Sequence, residues 1–335
     1  MTAGLSRRTL LKATGAGGLA LLPGCKEVKR PLFSADAHPP GYPTVKATQA
    51  LGKMLEERTG GELSLRIYAG GQLGSESDTL EITIFGGIDL NRVNLAPLNP
   101  IASETFIPSL PFLFKSTDHM RRALDGAPGE AILAALEPHG LIGLCFYDSG
   151  ARCFYNTKRP VRTPDDLRGL KIRVQASNLY VAMTAAAGAN PTPIPLGETY
   201  QALVQGVVDG AENNWPSYET TRHYEVARYY SLTRHVMAPE ILVMSRRRWE
   251  KLSPEHRAIL KACAKESVGI MRTMWDEREA GAQQRVIAAG AQVNDDVDIA
   301  AFTKRMEPVW NQFITTPTQR RLLEDVVNLG GTGNA

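Results

Sequence analysis

The stretch that most limits what this chain can fold into is 254–289. Ser253-Pro254-Glu255 opens it as a helix start, with a capping hydroxyl, proline at the first helical position and an acid in the first turn. Leu260, Cys263, Ser267, Val268, Met271, Met274 and Trp275 then recur at spacings of three and four, which places them on one side of a helix. A helix of about 35 residues is about 50 Å long. Such an element outruns one small domain and is expected to lie along two. A break near Gly269 or Gly281 would instead give two ordinary helices.

The rest of the chain alternates between helix and strand patterns, the signature of an α/β fold. Residues 43–58 read as a helix with Val45, Leu51, Met54 and Leu55 on one side, stopped by Thr59-Gly60-Gly61. Leu63, Leu65 and Ile67 alternate with Glu62, Ser64 and Arg66, a strand. Thr163-Pro164-Asp165-Asp166 opens a short helix over 164–168 that ends at Gly169. About 300 residues follow the leader, enough for two cores.

The N-terminus reads as an address. Ser6-Arg7-Arg8-Thr9-Leu10-Leu11-Lys12 precedes an apolar run over 13–22 that is too short to span a bilayer, so residues 1–30 are expected to be a cleaved signal. The paired arginines point to the twin-arginine export route and a periplasmic location. Leu22-Pro23-Gly24-Cys25 resembles a lipoprotein cleavage box, with Cys25 as the lipidated residue and a tether to the membrane. The alternative is a cut near Ala35.

Residues 1–25 hold Arg7, Arg8 and Lys12 and no acid, so the formal charge of +3 becomes 3 − 3 = 0 for the remainder. A neutral chain with scattered charges argues against nucleic acid as a partner. Cys145, in LIGLCFY, and Cys263 read as small core residues, and a Cys145–Cys153 disulfide is the alternative in an oxidising compartment. No CxxC occurs and the six histidines lack ligand spacing, so no metal or other cofactor is indicated.

Two segments about forty residues apart carry the binding chemistry. GLKIRVQ (169–175) is an apolar strand that presents Arg173, and VVDGAENNW (207–215) presents Asn213. An arginine at the end of a buried strand needs an anion, and its planar fork matches a carboxylate. Trp215 is either an apolar wall beside it or core.

The chain resembles the solute-binding proteins of TRAP transporters, the DctP family. The resemblance rests on GGQLGSE (70–76), GGIDLNRVN (86–94), SLPFLFKS (109–116), YDSGARCFYNTKRPVRTPDDLRGLKIRV (147–174), GANPTPIPLGETYQALVQGVVDGAENN (188–214) and EVARYYSLTRH (225–235). It implies a periplasmic-binding-protein-like α/β fold, with two α/β lobes, a ligand cleft between them and a long helix along both. The implied lobes are 31–150 plus 239–282 and 151–238 plus 283–330. The implied activity is capture of an organic acid by hinge closure and delivery to the permease subunits of the transporter, without covalent chemistry.

By the same resemblance Arg173 is the principal carboxylate clamp, Arg152 a second cleft arginine and Asn213 the cleft amide, offering donor and acceptor. Glu76, Asn94, His38 and Glu240 are expected from the opposite lobe, suited to hydroxyl groups. Two facing glutamates would repel the second charge of a C4-dicarboxylate. A polyhydroxy monocarboxylate fits better, and NRVN, AENNWPSYE and APE resemble the hexuronate subgroup, D-glucuronate or D-galacturonate. A C4-dicarboxylate or another sugar acid is the alternative. An enzyme is the rival of another class, with Glu76 and Glu240 as an acid–base pair, but GxSxG, GxGxxG and a nucleophile beside a base are missing.

Overall fold

The computed structural model describes residues 30–331. The twin-arginine segment and Cys25 lie outside them. The strands are β1 (Leu32–Asp36), β2 (Leu65–Tyr68), β3 (Leu90–Asn94), β4 (Leu141–Tyr147), β5 (Arg152–Asn156), β6 (Lys171–Val174), β7 (Asn190–Pro193), β8 (Gly210–Asn213), β9 (Tyr229–Val236), β10 (Glu240–Ser245) and β11 (Gln292–Asn294). They form two sheets, ordered β2-β1-β3-β10-β4 and β11-β9-β5-β8-β6-β7.

In the first sheet β1 runs parallel to β2 and β3, and β10 is antiparallel to β3 and β4. The carboxyl ends of β1 and β3 therefore lie beside the start of β10. In the second sheet β6 is parallel to β8 and β5 is antiparallel to β8, so the ends of β6 and β8 meet the start of β5. Polar side chains at these ends converge because strand direction, not sequence distance, decides what meets at a sheet edge.

The chain passes between the sheets at 148–151 and again at 237–239. The first passage is pinned by Asp148, which pairs with Arg121 at 2.6 Å and Arg272 at 3.2 Å. Gly150 follows at φ +60°, a left-handed conformation that favours glycine, and a Cβ there would lie 3.2 Å from the Trp275 ring and displace the Glu279 carboxylate.

Pro254–Ala288 is one helix, unbroken at Gly269 and Gly281. It packs on Pro43–Arg58 and β4, and farther along on the short helix Trp215–Thr220. Leu260, Cys263, Val268, Met271 and Trp275 enter a core with Leu51, Leu55 and Tyr147, whereas Ala282 and Val286 enter another with Tyr155 and Tyr230. Each interior glycine costs about 1 kcal/mol relative to alanine. Burial against two cores outweighs that.

The helix Pro43–Arg58 forms as expected. Several expectations change. The turn expected over 164–168 as a short helix is a 3-10 turn, Pro164–Leu167, closed by a reciprocal Thr163–Asp166 cap. Ala35 is buried within β1, so a cut there would remove a strand from the sheet. Cys145, Cys153 and Cys263 are buried and unpaired, so no Cys145–Cys153 disulfide forms. Trp215 stacks on Tyr230 with centroids 3.8 Å apart and belongs to the second core. The last helix, Pro317–Leu329, was expected with the second lobe but packs on Thr117–Asp125 and Ala127–Ala134, beside the first sheet. Among the described residues no helix is long and apolar enough to cross a membrane.

Candidate binding site

The converging strand ends enclose a small, tightly drawn cavity lined by His38, Glu76, Asn94, Arg152, Arg173, Gln175, Leu196, Asn213, Ser217 and Glu240. All seven residues singled out from the sequence are in this lining. A groove between the 70–77 and 193–198 segments shares Glu76, Arg173, Gln175 and Leu196 with it and leads to the surface.

Arg173 sits on β6, 3% exposed. Its Nε donates to the Ile194 carbonyl at 2.6 Å, and among the described residues no carboxylate forms an ion pair with it. Burial lowers its pKa, because removal from water penalises the charged form, and the more distant charges of Glu212 and Glu76 offset that only in part. This is the arrangement that an incoming carboxylate would complete.

Arg152 is in a different state. Its guanidinium binds both carboxylate oxygens of Glu212 and the Glu212 carbonyl, and donates to Asn213 Oδ1 at 3.0 Å. With its amide oxygen turned inward, Gln175 accepts from both terminal nitrogens at 3.1 Å. Burial alone would raise the Glu212 pKa, but Arg152 and then His235 hold it down at about 2. Arg152 therefore arrives at the cavity already neutralised by a residue that sequence reasoning missed. Asn213 is half committed too. Its side-chain oxygen accepts from Arg152 and from the Asn214 backbone N–H at 2.9 Å, which leaves the NH₂ as donor and corrects the expectation of an amide offering both.

The opposite wall is organised by Arg92, also missed. It lies in β3, fully buried, and pairs with Asp36, with Glu76 at 2.9 Å and with Glu240 at 3.1 Å. Burial opposes its charge, but Asp36, Glu240 and Glu76 together raise its pKa. Glu76 stands at the first turn of the helix Glu76–Phe85, capped by Ser75, and accepts from Asn94 Nδ2 and N–H at 3.1 Å. His38 stacks on Tyr42 at 3.8 Å and contacts Glu240 Oε1 through Nε2 at 3.1 Å. Burial would raise the Glu240 pKa, but Arg92 and His38 lower it to about 2.

Glu76 and Glu240 thus do not face each other as bare charges. The cluster holds Arg92, Arg152 and Arg173 against Asp36, Glu76, Glu212 and Glu240, a formal 3 − 4 = −1 without counting histidines. Arg173, without an ion pair among the described residues, lies at one wall and the acceptors lie at the other. Contacts already span the two sides: Tyr42 and Ser217 hydroxyls at 3.0 Å, and Ser177 with Asn99 at 2.6 Å.

Known proteins share this architecture. The model of the DctP family, bacterial extracellular solute-binding protein family 7, matches residues 34–316. A solute-binding protein of Chromohalobacter salexigens is 42% identical over 290 residues, covering 86% of each chain. A TRAP periplasmic solute-binding protein of Bradyrhizobium sp. BTAi1, solved with α/β-D-galacturonate, is 48% identical at TM-score 0.88, covering 89% of this chain and 100% of its own. Another from Chromohalobacter salexigens, solved with D-glucuronate, is 41% identical at TM-score 0.86, covering 89% of this chain and 99% of its own. With the matched span reaching from β1 to the start of the last helix, and with two α/β sheets meeting at a polar cleft, the chain belongs to the DctP family of extracellular solute-binding proteins.

Proposed function

We propose that the protein binds a hexuronate, D-galacturonate or D-glucuronate, in the cavity between the sheets and delivers it to the membrane permease of a TRAP transporter. The observation that carries this reading is Arg173, a buried cation without a carboxylate partner among the described residues. The ligand carboxylate lies on Arg173 and receives a further hydrogen bond from the Asn213 NH₂. Arg152 positions Asn213 and Gln175 around it. Glu76, Glu240, Asn94 and His38 meet the ring hydroxyls. A second carboxylate would enter a wall with three acids around one arginine, which disfavours a C4-dicarboxylate. The galacturonate and glucuronate held by similar proteins support the same class.

The reading is of a binding protein without chemistry of its own. A general acid must hold a proton near neutral pH, and Glu240, held at about 2 by Arg92 and His38, does not. The residues divide into lobes at 150/151 and 238/239, and the Tyr42–Ser217 contact belongs to the closed arrangement of a hinge. Export to the periplasm by the twin-arginine route and lipidation of Cys25 are part of the same proposal.

A thermal-shift screen with sugar acids, C4-dicarboxylates and amino acids tests it. A ligand at a hundredfold excess over its dissociation constant stabilises by about 2.7 kcal/mol. D-galacturonate or D-glucuronate is expected among the strongest shifts, and shifts confined to dicarboxylates or amino acids would overturn the uronate assignment.

A further inference from the structure

The end of the first sheet away from the cavity carries a surface that ligand binding does not use. Phe85 ends the helix Glu76–Phe85 and is 70% exposed, with Ile82 one turn before it at 39%. Gly86 follows in the left-handed conformation, and the stem of Arg247 packs against it, 3.4 Å from where a Cβ would stand. Arg247 belongs to the run Arg246-Arg247-Arg248 that opens after β10, and residues 246–251 hold four basic residues and one acid. Arg246 pairs with Glu250 at 2.9 Å and Arg248 with Asp89 at 3.6 Å, whereas Arg247 is exposed and has no ion pair among the described residues. Glu81 precedes Ile82 on the same helix, and the Glu137 backbone carbonyl accepts from Arg246 at 3.4 Å.

The start of the folded chain lies at this same end. Leu32 opens β1, Phe33 accepts from the Asp89 backbone N–H at 3.0 Å, and Ser245 donates to the Asp89 carbonyl at 2.9 Å. Cys25 precedes Leu32 by seven residues through Lys26-Glu27-Val28-Lys29-Arg30-Pro31, so the two are separated by at most about 25 Å.

We propose that this end of the sheet is a membrane-facing surface that rests on anionic phospholipid. Phe85 and Ile82 enter the interfacial region while the arginine run meets the headgroup charges. Exposed apolar side chains beside an arginine run are poorly matched to water but suit a boundary that is apolar on one side and anionic on the other. The short connection to Cys25 fixes which end of the molecule lies against the bilayer if that residue is lipidated. The cavity lies at the far end of the same strands, turned away from this surface. This inference does not rest on the identity of the ligand.

The test uses the full chain and Phe85→Trp, mixed with vesicles of brominated phosphatidylethanolamine and phosphatidylglycerol or of brominated phosphatidylcholine alone. The wild-type signal, which includes any contribution of residues 1–30, is subtracted. Quenching added by tryptophan at position 85 is expected with anionic vesicles and not with neutral ones. Adding Arg246→Glu and Arg247→Glu should lower vesicle partitioning about tenfold or more. Unchanged thermal shifts with D-galacturonate or inorganic stabilisers would show the variants folded. The proposal is overturned by the absence of added quenching, by equal quenching in neutral vesicles, or by a Phe85-dependent dimer that accounts for the burial of position 85.

Discussion

Replacing Arg173 with methionine separates a ligand clamp from a structural ion pair. The guanidinium is 3% exposed, gives one hydrogen bond to a backbone carbonyl and neutralises no carboxylate of the chain among the described residues. In the liganded protein the substitution removes one partner of a desolvated ion pair, a loss of about 3–5 kcal/mol. That corresponds to about two to four orders of magnitude in affinity. In the ligand-free protein the same change removes an unpaired buried cation, so unfolding should be unaffected or shifted to higher denaturant. Isothermal titration calorimetry with D-galacturonate and D-glucuronate, beside urea unfolding without ligand, reads both arms. An affinity loss below about fivefold would refute the clamp. A ligand-free Arg173→Met protein markedly less stable than the parent would show that position 173 serves the fold.

Arg152→Met should behave in the opposite way, because it leaves Glu212 buried beside His235. About 3–5 kcal/mol of stability should be lost without ligand, measured by urea unfolding, and an unchanged midpoint would contradict the neutralised state of Arg152. Stability should also fall with acid. Burial, and then the Arg173 charge, lowers the His223 pKa from 6.5 to about 3, so the unfolded chain takes up a proton between those values that the folded one refuses. Stability is therefore highest above pH 6.5 and declines toward pH 3, by at most about 1.4 kcal/mol per pH unit from this group. Glu212 and Glu240, lowered from 4.5 to about 2, extend the decline over that window. Unfolding free energies that stay level from pH 6.5 to 4.5 would contradict the His223 assignment. Tyr42→Phe removes a hydroxyl contact between the two sides of the cleft and should weaken uronate binding by about 0.5–1.5 kcal/mol, read by calorimetry. Unchanged affinity would place that contact outside the binding equilibrium.

Several features were legible in the sequence because local chemistry dictates them. The Ser253-Pro254 start and the three–four spacing of Leu260 to Trp275 specify a helix wherever the segment lies, and the helix runs over Pro254–Ala288. Arg173 stood out because an arginine within an apolar strand must answer to an anion. The same reasoning applies to Arg92 in LNRVN and would have found it. Glu212, beside the conspicuous Asn213 in AENN, gave a weaker signal, since a carboxylate near a strand end is ordinary at a surface.

What the sequence by itself determined is the kind of element each segment forms and the kind of charge each strand end carries, because backbone periodicity, capping and side-chain chemistry act within a few residues. Only the tertiary structure decided which charges meet. Arg152 and Arg173 look equivalent along the chain, yet the antiparallel register of β5 on β8 sets Glu212 against the first, and the parallel register of β6 leaves the second with a carbonyl. Coulomb energy depends on angstroms through space, and strand direction, not position in the chain, fixes those distances.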